Sequence, residues 1–201
     1  VNATVENRST MYDLVTRTAE SVFIPLTVGG GIREVDDVSR LLAAGADKVS
    51  VASAAIEKPE LISEIAGRFG SQVLVISLDL KRSSAAASGF TVTKRGGRVD
   101  AELDAIEWIE RCQELGAGEL LVNSIDADGT KAGFDIELLK LVSEVARVPV
   151  IASGGAGKAE DFPPAAAAGA DAMLAASIFH DRLVTIEEAK RELKLAGFET
   201  R

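Results

Sequence analysis

Short runs of β-branched and aliphatic residues alternate along the chain with longer stretches whose apolar positions recur every three to four residues. The runs Leu26–Val28, Lys48–Val51, Val73–Asp79, Glu119–Asn123, Val148–Ala152 and Ala172–Ala175 predict six strands. They are nearly continuous in apolar character, which is the pattern of parallel strands buried on both faces. The amphipathic stretches Met11–Val22, Val35–Ala44, Pro59–Phe69, Ala101–Leu115, Ile136–Val145, Ala159–Ala168 and Ile186–Leu195 predict the helices that cover them. Several helices run into a glycine and then straight into a strand, as in Gly45-Ala-Asp47 and Gly169-Ala-Asp171. Between Arg82 and Arg98 the polar, small-residue composition predicts a long loop, and the alternating Phe90-Thr-Val-Thr-Lys94 predicts a small hairpin within it. The fold class is α/β.

An internal repeat sharpens that reading. Pro25-Leu-Thr-Val-Gly-Gly-Gly31 recurs as Pro149-Val-Ile-Ala-Ser-Gly-Gly155, Gly45-Ala-Asp47 as Gly169-Ala-Asp171, and Ala52-Ser53 as Ala176-Ser177. All three pairs share one offset, 124 positions, so residues 25–53 match residues 149–177. A constant offset across two strands, a helix and their loops marks two copies of one βαβ segment, each part of one half of an eight-unit (β/α)₈ (TIM) barrel of about 250 residues. On that scheme the chain is a single domain, residues 1–201, an incomplete barrel with about six parallel strands. It opens on Val1 rather than Met and is expected to lack the first strand–helix unit and the second strand.

Composition narrows the function classes. The net charge is −9 with 26% charged residues, and phosphate-backbone binding needs clustered Lys and Arg, so nucleic-acid binding is not expected. A phosphorylated small ligand remains compatible, since a few backbone amides can hold one. The single cysteine, Cys112, excludes a disulfide framework and suits a reducing cytoplasm. No apolar run is long enough to span a bilayer. The single histidine, His180, leaves no His-based triad or His-rich metal site; neither a metal nor a cofactor is expected.

The candidate chemistry sits where strands hand over to loops. Gly29-Gly30-Gly31 and Gly154-Gly155 each follow a strand and precede a helix, and Ser53 and Ser177 follow the next strands at matching distance. Bare backbone next to helix N-termini suits a phosphate, and the duplication suits a substrate carrying one at each end. Asp79 closes the apolar run Val73-Leu-Val-Ile-Ser-Leu-Asp79, which in a barrel puts a carboxylate at the catalytic rim. General acid/base work there competes with helix capping or pairing to Lys81 or Arg82. Asp126-Ala-Asp128-Gly129-Thr-Lys131 follows another strand; its turn offers N–H groups to an anion, and Asp126 or Asp128 offers a second carboxylate. Lys94, Arg95 and Arg98 could meet a phosphorylated ligand from the hairpin. Lys48 and Glu119 open their strands at the opposite rim, where charges either cap the barrel or form a polar gate.

Together the motifs resemble those of the cyclase subunit of imidazole glycerol phosphate synthase. They are Thr27-Val-Gly-Gly-Gly-Ile32, Gly45-Ala-Asp-Lys-Val49, Gly70-Ser-Gln72, Gly116-Ala-Gly-Glu-Leu120, Asn123-Ser-Ile-Asp-Ala-Asp-Gly-Thr-Lys131, Ile151-Ala-Ser-Gly-Gly-Ala-Gly157 and Leu174-Ala-Ala-Ser-Ile-Phe-His180. They run in the family's order over essentially the whole chain. The resemblance implies a lyase of histidine biosynthesis. It would join ammonia to phosphoribulosyl-formimino-aminoimidazole carboxamide ribonucleotide, giving imidazole glycerol phosphate and aminoimidazole carboxamide ribonucleotide, with ammonia from a glutaminase subunit.

The resemblance further implies roles for single residues. Asp79 matches a catalytic aspartate. Gly31 and Ser53 match one phosphate site, and Asp128, Gly129, Gly155, Ala176 and Ser177 the other. Lys48 and Glu119 match residues that gate the ammonia path. Two departures are visible: the family's other catalytic aspartate ends its first strand, for which this chain has no counterpart, and Ala52 stands where the family usually has Asn. The alternatives are the phosphoribosyl-formimino isomerase of the same pathway, which shares the half-barrel repeat, and a non-catalytic phosphate-binding scaffold or glutaminase partner.

Overall fold

The structure is a computed structural model, and it describes residues 5–200. Its elements in chain order begin with α1 (Val5–Ala19), β1 (Thr27–Gly29), α2 (Val35–Ala43), β2 (Lys48–Val51), α3 (Ser53–Glu57), α4 (Glu60–Phe69) and β3 (Leu74–Arg82). There follow β4 (Phe90–Lys94), β5 (Val99–Asp104), α5 (Ala105–Glu114), β6 (Glu119–Ser124) and α6 (Ile136–Val145). The last are β7 (Val150–Ser153), α7 (Phe162–Ala167), β8 (Ala172–Leu174), α8 (Ser177–His180) and α9 (Ile186–Leu195). The hydrogen-bonded strand order is β1-β2-β3-β6-β7-β8, with the hairpin β4–β5 attached to β3. The pairs β1–β2, β2–β3, β6–β7 and β7–β8 are parallel, whereas β3–β4 and β4–β5 are antiparallel. This is the α/β, six-parallel-strand arrangement of an incomplete (β/α)₈ barrel.

The chain forms two compact units, one running to Ser77 and taking in Cys112–Glu119, the other comprising Leu78–Arg111 and the chain from Leu120 onward. In the first unit, Val38 and Leu41 of α2, Val49 and Val51 of β2, Leu61, Ile62 and Ile65 of α4, and Leu74 and Ile76 of β3 form the core. In the second, Leu78 and Leu80, Ile109, Leu120 and Val122, Leu138 and Val142, and Ile178 do so. Each such side chain removed from water contributes roughly 1.5–3 kcal/mol. The alternation along β3 is strict near its end: Leu78 and Leu80 are buried while Ser77 and Asp79 are half-buried. A two-residue period therefore gives β3 one apolar face and one face able to carry chemistry. Cys112 is part of the packing, and burial pushes its thiol up to about 12, which leaves it an inert thiol.

The first helix spans Val5–Ala19 rather than Met11–Val22, the helix expected from Ala159 opens as a 3-10 turn before Phe162, and three further features differ from the sequence reading. β3 extends three residues past Asp79, because β4 pairs with it from Asp79 to Arg82. The helix expected from Ala101 begins at Ala105, because residues 99–104 pair with β4 through a bulged register between Thr91 and Thr93. The short helices α3 and α8, too brief for an amphipathic pattern, open at Ser53 and Ser177.

The two copies of the repeat fold alike down to single hydrogen bonds. Asp47 Oδ2 accepts from the Leu26 N–H at 2.8 Å, and Asp171 Oδ2 accepts from the Val150 N–H at 2.8 Å. Asp37 Oδ2 accepts from the N–H groups of Arg33 and Glu34 at 2.9 and 3.3 Å, and Asp161 Oδ2 from those of Gly157 and Lys158 at 2.7 and 3.0 Å. In each copy one carboxylate thus ties the start of a strand to the loop entering the next strand, and another closes the turn into the following helix. A charged acceptor on a backbone donor contributes roughly 1.5–3 kcal/mol. Asp171→Ala is therefore expected to lower the free energy of urea unfolding by about 1–3 kcal/mol, with Asp171→Asn retaining part of it. An unchanged midpoint in the alanine variant would show that the latch contributes nothing.

Candidate active site

Asp79 lies at the C-terminal end of the parallel part of β3 and is fixed from two sides. Its backbone carbonyl accepts from the buried Thr93 hydroxyl at 2.8 Å, and its Oδ1 accepts from Asn123 Nδ2 of β6 at 3.1 Å. Neither Lys81 nor Arg82 pairs with it. The Arg82 guanidinium instead reaches Asp135 at 3.0 Å and Glu137 at 2.9 Å, and lies 4.8 Å from the centre of the Phe90 ring. Burial works to lower the pKa of Arg82, but the Glu137 hydrogen bond and the charges of Asp135, Glu137 and Asp126 prevail and raise it. The same residue's N–H donates to Asp126 Oδ2 at 2.8 Å. Of the two loop carboxylates, Asp126 is thereby engaged in holding its loop to β3, and Asp128 stands exposed to solvent.

The loop bearing Asp128 and Gly129 is built on itself. The Asp128 N–H donates to Ser124 O at 2.9 Å, and Thr130 bonds Ala127 O through its N–H at 3.0 Å and its hydroxyl at 2.7 Å. Asp135 closes the loop: its side chain accepts from the Leu138 N–H at the start of α6 and from the Ser124 hydroxyl. Gly155, in the loop after β7, receives this segment against its backbone, with the Gly133 N–H donating to Gly155 O at 2.9 Å. Phe134, Phe162 and Phe179 pack in series, the first pair edge to face at 5.6 Å and the second tilted at 6.1 Å between ring centres. They join the loop after β6, the entry to α7 and α8. Asp128, Gly129, Gly155, Ala176 and Ser177 therefore all sit on loops leaving the C-terminal ends of the successive neighbours β6, β7 and β8.

The first copy presents Gly31 on the loop after β1 and Ser53 at the start of α3, just past the paired strand β2. Ala52 and Ala176 precede their short helices with similar φ, −120° and −118°. The capping carboxylates take up the N–H groups at 33, 34, 157 and 158. Those of Gly30, Gly31, Gly154 and Gly155 meet no intramolecular acceptor among the described residues. These are the donors left for an anion. At the other end of the first unit's strands, Lys48 and Glu119 form an ion pair between the first residues of β2 and β6.

The hairpin is anchored rather than loose. Gly97 at its turn lies close to Ile125, and Asp104 accepts from the N–H groups of Ser88, Ile106 and Glu107. Burial tends to raise the Asp104 pKa, yet these hydrogen bonds prevail and hold the carboxyl below its ordinary range. Among the described residues no cluster of His, Cys, Asp and Glu could hold a metal ion, and no helix is long and apolar enough to cross a membrane.

Sequence reasoning missed the roles of Asn123, Asp135 and the capping pair Asp37 and Asp161, and it offered Arg82 to Asp79 rather than to Asp135 and Glu137. For Asn123 a signal existed, since an amide follows the apolar run Leu120-Leu-Val122. For Asp37 and Asp161 it lay in the repeat itself, because they stand 124 positions apart.

The histidine biosynthesis protein family matches residues 1–185. The chain is 63% identical over 201 residues to the imidazole glycerol phosphate synthase subunit HisF of Leifsonia xyli, covering all of this chain and 79% of that protein. It is 62% identical over 203 residues to the protein of the same name from Salinispora tropica, and 60% over 205 residues to that of Corynebacterium glutamicum, in each case covering 80% of the relative. At that identity, over its whole length, the chain belongs to the histidine biosynthesis protein family and, within it, to the HisF subunits of imidazole glycerol phosphate synthase.

Proposed function

We propose that this chain carries the cyclase reaction of imidazole glycerol phosphate synthase. It takes ammonia and phosphoribulosyl-formimino-aminoimidazole carboxamide ribonucleotide to imidazole glycerol phosphate and aminoimidazole carboxamide ribonucleotide. The observation that carries this reading is the Asp79 carboxylate, held at the end of β3 by Asn123. With one oxygen on a neutral donor, the carboxylate has its other oxygen for taking up and returning protons on the nitrogen and oxygen atoms whose bonds change. One phosphate of the substrate is bound by the corner of Gly31 and Ser53. The other is bound by the loops of Asp128, Gly129, Gly155, Ala176 and Ser177, chiefly through backbone N–H groups other than that of Asp128, which bonds Ser124 O. Lys48 and Glu119 gate the entry of ammonia, which a glutaminase subunit supplies. The protein works in the cytoplasm without a metal or an organic cofactor.

The test is a turnover assay on the full chain with ammonium chloride as the nitrogen source, both products being identified by mass spectrometry. Two products in equal amounts are expected. With glutamine in place of ammonium, product should form only after the glutaminase subunit is added. Rearrangement of the aminoaldose precursor without any nitrogen source would overturn the reading in favour of the isomerase.

A further inference from the structure

Three features of the second unit converge on one amide. Asn123 Nδ2 donates to Asp79 Oδ1 at 3.1 Å. Thr93 holds the backbone carbonyl of Asp79 at 2.8 Å, which fixes the main chain from which the carboxylate projects. On the far side, a Cβ at Gly154 would lie 2.9 Å from Asn123 Oδ1 and 2.8 Å from Ser124 O. The bare backbone at Gly154, which also has φ of +90°, is what lets the Asn123 amide turn its nitrogen toward Asp79.

We infer that Asn123 is a positioning residue for the cyclase reaction: it fixes one oxygen of Asp79 and leaves the other to face the substrate, in a space that Gly154 keeps clear. The inference rests on the reading of Asp79 as the acid/base. The ionisable groups on the elements around Asp79 are Lys81 and Arg82 on β3, Lys94 on β4, Glu119 at the start of β6, which pairs with Lys48, and Asp126 just past β6. Arg82 is taken up by Asp135 and Glu137, and Asp126 by the Arg82 N–H. Asn123 is thus the group that orients the carboxylate in this structure. An asparagine suits the task better than a lysine or arginine, because it orients the carboxylate without pairing its charge.

Two variants of similar size separate this role from simple packing. Asn123→Leu keeps the bulk and removes the donor. Its kcat should fall about 10- to 100-fold, the scale expected when a catalytic group loses its orientation, while KM stays within about threefold. Asn123→Asp keeps the shape but faces carboxylate with carboxylate. Its kcat at neutral pH should fall further than in the leucine variant and partly recover as the pH is lowered and the pair shares a proton. A kcat within twofold of the unaltered protein in Asn123→Leu, or an Asn123→Asp pH profile superimposable on the original, would overturn the inference. A measurement without turnover keeps the two readings apart. The Asn123 side-chain amide proton, followed by NMR, should move upfield in Asp79→Ala, where its acceptor is gone. If it does so while Asp79→Asn retains full activity, the acid/base reading fails and the bond stands. If it does not move, the positioning inference fails whatever Asp79 does.

Discussion

Asp79→Asn is expected to reduce ammonia-dependent turnover by roughly 10²- to 10⁴-fold, the range that a positioned acid/base contributes, while changing substrate affinity by no more than about threefold. The substitution is close to isosteric, and an amide oxygen at position 79 can still accept from Asn123 Nδ2, so the bond between β3 and β6 survives. The Thr93 hydroxyl bonds the backbone of residue 79 and is indifferent to the side chain. Stability should therefore hold, and the loss should fall on kcat. Steady-state kinetics with saturating ammonium, together with calorimetric titration of the doubly phosphorylated substrate, measure the two quantities separately. Turnover close to that of the unaltered protein would remove Asp79 from the mechanism. A parallel loss of affinity and urea stability would mean that the side chain is structural.

What the sequence made legible follows from which signals are local. The apolar runs give the parallel strands because burial on both faces, as at Leu74, Val75 and Ile76, leaves a continuous apolar trace, and the helices between them leave a periodic one. The repeat identifies the architecture, since Asp47 with Asp171 and Asp37 with Asp161 hold equivalent backbone groups in both copies. The Gly corners and the carboxylate at a strand end follow from the same local logic. What stayed hidden depends on partners distant in sequence. Arg82 reads as a neighbour able to neutralise Asp79, yet its guanidinium bonds Asp135 and Glu137, more than 50 positions away. The strand character of residues 101–104 comes from pairing with β4, which outweighs an amphipathic pattern running on into α5. Asn123 acquires its role from β3, and no local pattern on β6 names that partner.

The two glycine corners, identical in sequence logic, should respond differently to the same substitution. Gly31 has φ of +75° and open space where a Cβ would project. Gly31→Ala should then cost only the strain of a left-handed residue, about 1–2 kcal/mol, and any loss of phosphate affinity beyond that would come from the methyl group meeting the ligand. Gly155 has φ of +100°, and a Cβ there would lie 2.1 Å from Gly133 O and 3.0 Å from the Ala127 side chain. Backbone cannot yield as a flexible side chain can, so the loop carrying Asp128 and Gly129 must move away and the Gly133–Gly155 hydrogen bond must break. Gly155→Ala is expected to lose at least about 2 kcal/mol more stability than Gly31→Ala, since collision and a broken buried hydrogen bond add to the backbone strain. Urea unfolding without ligand measures that difference, and NMR titration of each protein with inorganic phosphate tests the proposed anion sites. Gly31→Ala should weaken phosphate binding while nearly keeping its stability, whereas Gly155→Ala should lose both together. Equal stability losses in the two variants would show that the loop after β6 is not held by its contact with Gly155.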